Sequence, residues 1–145
     1  MKNKYFIKRF LIFSMMMCML MGSNVCLANN VDVAWVFYCQ SEGTYTDVRA
    51  KDNTSKVYCY PTAGHSVYAT AYGSPSQTRN GVICSGTPKI PVGIHGYITN
   101  YIKENGYSYG YLHIQRTAID NTKCTGWWSI DSSGYDSTNP NHVIY

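Results

Sequence analysis

Gly96–Arg116 reads GYITNYIKENGYSYGYLHIQR, two runs rich in tyrosine, isoleucine and leucine on either side of Asn105-Gly106. Asn-Gly favours the positive φ angles of a type I′ turn, whose twist suits two antiparallel strands. Folding the chain there predicts a hairpin that pairs Glu104 with Tyr107, Ile102 with Tyr109, Asn100 with Tyr111 and Ile98 with His113. Tyr97, Tyr101, Leu112 and Ile114 then share the opposite face. The competing reading of the first half is a short helix, with Ile98, Tyr101 and Ile102 at i, i+3 and i+4 and Gly106 just past its end. The second half, Tyr107–Thr117, is too aromatic, β-branched and glycine-interrupted for a helix. A lone hairpin is marginal in water, so the remaining runs must supply neighbours and a core.

Those runs alternate with the period of a strand. Val33, Trp35, Phe37 and Cys39 fall on one face of Val31–Gln40. Thr44–Lys51 reads as a polar strand. Ser55–Tyr60 sets Val57 and Cys59 against Lys56, Tyr58 and Tyr60, and a turn is expected over Pro61–Gly64. His65–Gly73 puts Val67, Ala69 and Ala71 inward and Tyr68, Thr70 and Tyr72 outward. Short strands are expected at Gly81–Ser85 and, broken by Pro91, at Lys89–Val92. A last strand runs through Trp127-Trp128, one ring to each face. The tail from Ser132 is irregular, with Val143–Tyr145 able to dock on an edge. Seven to nine short strands with turn signals between them predict an all-β fold, an antiparallel β-sandwich.

The first 28 residues read as an export signal. Lys2, Lys4, Lys8 and Arg9 precede the apolar run Phe10–Met21, which is short for a membrane span, and cleavage is expected after Ala28. A lipidated Cys26 is the rival reading, but Ser23-Asn24-Val25 lacks the leucine expected ahead of such a cysteine. The net charge of +4 belongs to those four basic residues, because residues 29–145 carry eight basic and eight acidic side chains. A neutral domain gives no electrostatic reason to bind nucleic acid or anionic lipid. Residues 29–145 are expected to form one secreted domain, with no stable membrane span once the signal is gone. Cys39, Cys59, Cys84 and Cys124 are expected to form two disulfides, in any of three pairings.

Enzyme signatures are absent from the sequence: there is no GxSxG, HExxH, SxxK or phosphate-binding loop. His65, His95, His113 and His142 are scattered singly. A Cys84/His95 nucleophile pair needs a free thiolate, and nothing in the sequence brings together any two of Glu104, Asp120, Asp131 and Asp136. No catalytic residue, metal or cofactor is therefore expected. Tyrosine is the abundant functional side chain, and binding surfaces use its apolar ring and polar tip. The candidate binding residues are Tyr107, Tyr109, Tyr111, Trp127 and Trp128, with Tyr58, Tyr60, Tyr68 and Tyr72 on the outward faces of earlier strands.

Asp47–Tyr58 (DVRAKDNTSKVY), Ile102–Tyr111 (IKENGYSYGY) and Gly126–Ser132 (GWWSIDS) resemble small secreted Gram-positive proteins of uncharacterised families, in the style of lactococcin-type β-sandwich bacteriocins. Trp128-Ser129-Ile130-Asp131-Ser132 is similar to a Trp-Ser-Pro-Asp-Ser signature, with Ile130 in place of proline. The resemblance implies a secreted β-sandwich without catalytic residues that antagonises other bacteria at their envelope. The alternative expectations are a wall-glycan-binding or adhesive surface module and, third, a small secreted hydrolase.

Overall fold

The computed structural model describes residues 31–145, so the expected signal and its cleavage point lie outside the described residues. Among the described residues there is no helix, and eleven strands form two mostly antiparallel sheets. The strands are β1 (Val33–Tyr38), β2 (Gly43–Tyr45), β3 (Arg49–Ala50), β4 (Val57–Ala63), β5 (Val67–Ser74), β6 (Val82–Ile83), β7 (Lys89–Ile90), β8 (His95–Ile98), β9 (Tyr109–Arg116), β10 (Lys123–Ser129) and β11 (His142–Ile144). The first sheet has the order β1-β10-β4-β8-β11. The second has the order β2-β9-β5-β6, with β3 also paired to β9 and β7 to β5. No helix here could cross a membrane, which says nothing about membrane-crossing strands.

Alternation places the core where the sequence expects it. Trp35, Phe37 and Cys39 from the β1 run, Val57 and Cys59 from β4, and Val67, Ala69 and Ala71 from β5 are all buried in one cluster with Leu112, Ile114 and Trp128. The tail also docks as expected: β11 adds to the first sheet in parallel with β8, Val143 opposite Gly96. Pro61 does not end its strand. It lies inside β4 opposite Gly126, where the register shifts in a bulge that tolerates its missing N–H. Gly126 is required there, because a β-carbon would meet the Trp35 ring at 2.4 Å.

The central hairpin is not formed. Its halves belong to different sheets: Ile98 pairs with Val57 of β4, whereas His113 pairs with Thr70 of β5 and with Tyr45 of β2. Between them the chain coils through tight turns, with Asn105 N donating to Tyr101 O at 2.9 Å and Tyr107 N to Ile102 O at 3.0 Å. Gly106 keeps its positive φ, 81°, but in a turn that carries the chain from one sheet to the other. The cause is burial. Ile102 is fully enclosed in the shared core, with its methyl close beside Gly110 of β9, while its neighbour Tyr101 is 58% exposed. The helical spacing read at Ile98, Tyr101 and Ile102 therefore marks a coiled crossover, not a helix.

One buried charge pair ties the sheets together. Lys51, just after β3, and Asp131, just after β10, are both fully enclosed, with Nζ 2.6 Å from Oδ1. Nζ also donates to Ser55 O at 2.6 Å and Ile130 O at 2.9 Å. Asp52 N donates to the second carboxylate oxygen, and the Ser55 hydroxyl to the first. Burial lowers the Lys51 pKa, an effect opposed by its bond to Asp131.

The expected disulfides are not shown by the structure. All four cysteines are buried, and no two sulfurs lie at the bond length of a disulfide, so two bridges are not found. Cys39 Sγ and Cys124 Sγ are neighbours at 3.1 Å. Cys59 faces the core from the first sheet, and Cys84 sits beside the second, near Gly73 and Asn105.

Two stability tests follow from these contacts. Ile102→Ala should lower unfolding free energy by about 2–5 kcal/mol, the cost of emptying an enclosed site, against less than about 0.5 kcal/mol for Tyr101→Ala. Denaturant titration measures both. Lys51→Met alone should cost about 3–5 kcal/mol by stranding Asp131, and Lys51→Met with Asp131→Leu should cost less than Lys51→Met.

Candidate functional site

The outward residues of the first sheet form a continuous cross-strand row. Trp127 of β10 lies opposite Tyr60 of β4, Tyr60 stacks on His95 of β8 with centroids 3.9 Å apart, and His95 lies opposite His142 of β11 at 4.8 Å. Each step follows from period two: the partners of these residues on the other face, Trp128, Cys59, Gly96 and Val143, point the opposite way. Trp127 is 44% exposed at the open end of the row. Val36 and Tyr38 of β1 extend the apolar surface beyond it.

Two concavities flank the row. One of about 220 Å³ is lined by Asp32, Tyr58, Tyr97, Ser129, Asp131, Ser132 and its neighbours, a largely hydroxyl and carboxylate wall. The other, of about 280 Å³, lies beside Trp127 against Thr62, Lys123 and Thr125. Tyr60 and His95 cover each other's faces, so the exposed Trp127 at the end of the row, with polar groups on both sides, is the ring on which a planar, weakly polar ligand can stack.

The electrostatics favour uncharged rings. Burial lowers the pKa of His95, the adjacent His142 lowers it further, and Asp32 opposes both. The His95 Nδ1 and Tyr58 hydroxyl are hydrogen-bonded at 2.7 Å. Burial raises the pKa of Tyr58, and the nearby Asp32 adds to it. Asp32 itself is raised by burial, against the pull of Arg49 and then His95. Tyr97 donates to Gly134 O at 2.9 Å, and Tyr135 packs edge-on against its ring. The polar floor is thus held by hydrogen bonds.

Residues 22–132 match the family described as "Protein of unknown function (DUF2712)". The chain belongs to that family. No curated protein and no solved structure matches it. The DUF2712 match brings with it no relationship to bacteriocins and no Gram-positive source. It covers Asp32, Tyr58, Tyr60, His95, Tyr97 and Trp127, whereas Tyr135 and His142 lie beyond its end. In this DUF2712 chain the last strand therefore completes the ring row from outside the matched region.

The residues singled out from the sequence are dispersed. Tyr107 precedes β9 and packs half-buried on the core. Tyr109 is half-buried on β9, and Tyr111 is 2% exposed, stacked on Tyr72 and accepting a bond from Gly81 N. They make no exposed tyrosine row. Trp127 and Trp128 do face opposite ways, but Trp128 is in the core, 1% exposed, so Trp127 alone of the pair can meet a ligand. Cys84 and His95 have different partners and are not joined.

One other cluster merits chemistry. Cys39, His65 and Asp120 have donor atoms within 4.8 Å of one another, and His65 Nε2 is 2.7 Å from Asp120 Oδ2. These are the residue types of a thiol nucleophile with its base. Burial, reinforced by the bond to Cys124, pushes the Cys39 thiol up to about 11, the reverse of the activation that role requires.

The sequence names most of the ring row only as outward tyrosines or single histidines; their convergence depends on strand order. Titrating the imidazole resonances by NMR should give His95 a midpoint below the ordinary 6.5. His142→Gln should move that midpoint upward by removing a like charge.

Proposed function

We propose that this protein is an exported, non-enzymatic binding protein whose outer first-sheet face takes a glycan of a cell envelope. The observation that carries the reading is the row Trp127–Tyr60–His95–His142, four rings on four neighbouring strands of one solvent-facing surface. The C–H face of a sugar ring packs on aromatic rings, and the hydroxyl rim needs neutral and acidic hydrogen-bonding groups beside it. Asp32 and Ser132 on one side and Thr62 and Thr125 on the other supply them. Eight basic against eight acidic residues in the portion after the signal suit an uncharged polymer better than a nucleic acid.

The export signal read in the sequence puts this contact outside the cell, where cysteines cross-link. Adhesion to a wall and antagonism toward another cell's envelope both begin with such a contact. Growth inhibition by the purified protein on lawns of other bacteria separates the second from the first.

Retention of the full exported chain on purified peptidoglycan and wall polysaccharide tests the reading. Trp127→Ala and Tyr60→Ala should each weaken retention about tenfold or more, a loss of roughly 1.4 kcal/mol. Tyr68→Ala, on the outer face of the other sheet and 39% exposed, should leave it unchanged. Retention that ignores Trp127 and Tyr60, or that is absent on every wall polymer, refutes the glycan face.

A further inference from the structure

We propose that Cys39 and Cys124 close into a single disulfide that staples the edge strand β1 to β10, while Cys59 and Cys84 remain thiols. The inference rests on the export reading for its oxidant and is independent of glycan binding.

Both sulfurs are enclosed and 3.1 Å apart, so about 1 Å of side-chain movement brings them to bonding distance. The backbone already holds them there. Phe37 pairs with Cys124 in the β1–β10 ladder, and Cys39 N donates to Thr122 O at 2.9 Å just past its end. Gly64 keeps the space open on the far side: a β-carbon at that position would lie 2.7 Å from Cys124 Sγ. His65 N donates to the same sulfur from 3.3 Å and so fixes its position.

Cys59 has no such neighbour. It is enclosed in the middle of the first sheet, and burial alone raises its pKa. Cys84 sits beside the other sheet, with its sulfur 3.7 Å from the Asn105 amide and against Gly73. Among the described residues neither sulfur has another cysteine sulfur within contact distance, whereas Cys39 and Cys124 have each other.

The chemistry is exchange with an external disulfide, RSSR. The Cys124 thiolate attacks one sulfur of RSSR and forms a mixed disulfide as RS⁻ leaves. The Cys39 thiolate then attacks the Cys124 sulfur, and the second RS⁻ leaves. The two cysteines are oxidised by two electrons, RSSR is reduced, and the two cysteine protons end on the two RSH products. Because both sulfurs are enclosed in the finished fold, exchange takes place as the strand ends come together during folding. The bridge closes a loop of 85 residues, long enough for a strong effect on the unfolded chain.

The test is to refold the full exported chain with oxidised glutathione, then alkylate it before and after unfolding and map the peptides by mass. The expected result is a loss of about 2 Da, the hydrogens of one bridge, with a Cys39–Cys124 cross-linked peptide. Cys59 and Cys84 should be alkylated only after unfolding. Reductant should lower the melting temperature by roughly 10–20 °C in the parent chain. It should have no effect on the Cys39→Ala/Cys124→Ala variant, a contrast that holds even if that variant is less stable. Four alkylatable thiols, a bridge that includes Cys59 or Cys84, or one zinc retained by Cys39, His65 and Asp120 would each overturn the proposal.

Discussion

The interaction on which the remainder depends is the enclosed contact between Lys51 and Asp131. It joins the end of β3, in the second sheet, to the end of β10, in the first. Removing two charges from water costs several kcal/mol each, and such a pair seldom adds net stability over a well-packed apolar substitute. What it does add is uniqueness. An ammonium with three good acceptors and a carboxylate with three donors are satisfied in one arrangement, whereas a slipped strand would leave a bare charge in the core. Asp131 and Ser132 also line the polar concavity beside the ring row, so the device that fixes the sheets also fixes one wall of the candidate site.

Rings stack across strands on both sheets. On the second, Tyr45 stacks on His113 at 4.1 Å and Tyr72 on Tyr111 at 5.1 Å, and on the first Tyr60 stacks on His95 at 3.9 Å, so in each pair the rings cover one another. On the first sheet the line then ends at Trp127, which is left in the open.

Much of the fold is legible in the chain, because a half-buried strand writes its two faces into every second residue. The inward sets of β1, β4 and β5, the divergence of Trp127 and Trp128, and the docking of the tail all follow from that rule. Pro61 misleads because its meaning is joint with that of Gly126: a missing N–H and a missing side chain become a bulge only when the two strands meet. Lys51 reads as a polar strand residue because nothing nearby in sequence reveals that its partner lies 80 residues away.

Local sequence, then, determined the strand period, which face of each strand is apolar, and that rings outnumber reactive groups. Tertiary structure decided strand partners and register. Asn105-Gly106 has the φ preference of a hairpin, worth at most a few kcal/mol, but pairing its flanks would have drawn Ile98 and Ile102 out of a core that encloses them both. Burial summed over distant residues outweighed a turn preference confined to two. For the same reason Tyr60, His95, Trp127 and His142 became one surface only once β10, β4, β8 and β11 had been laid side by side.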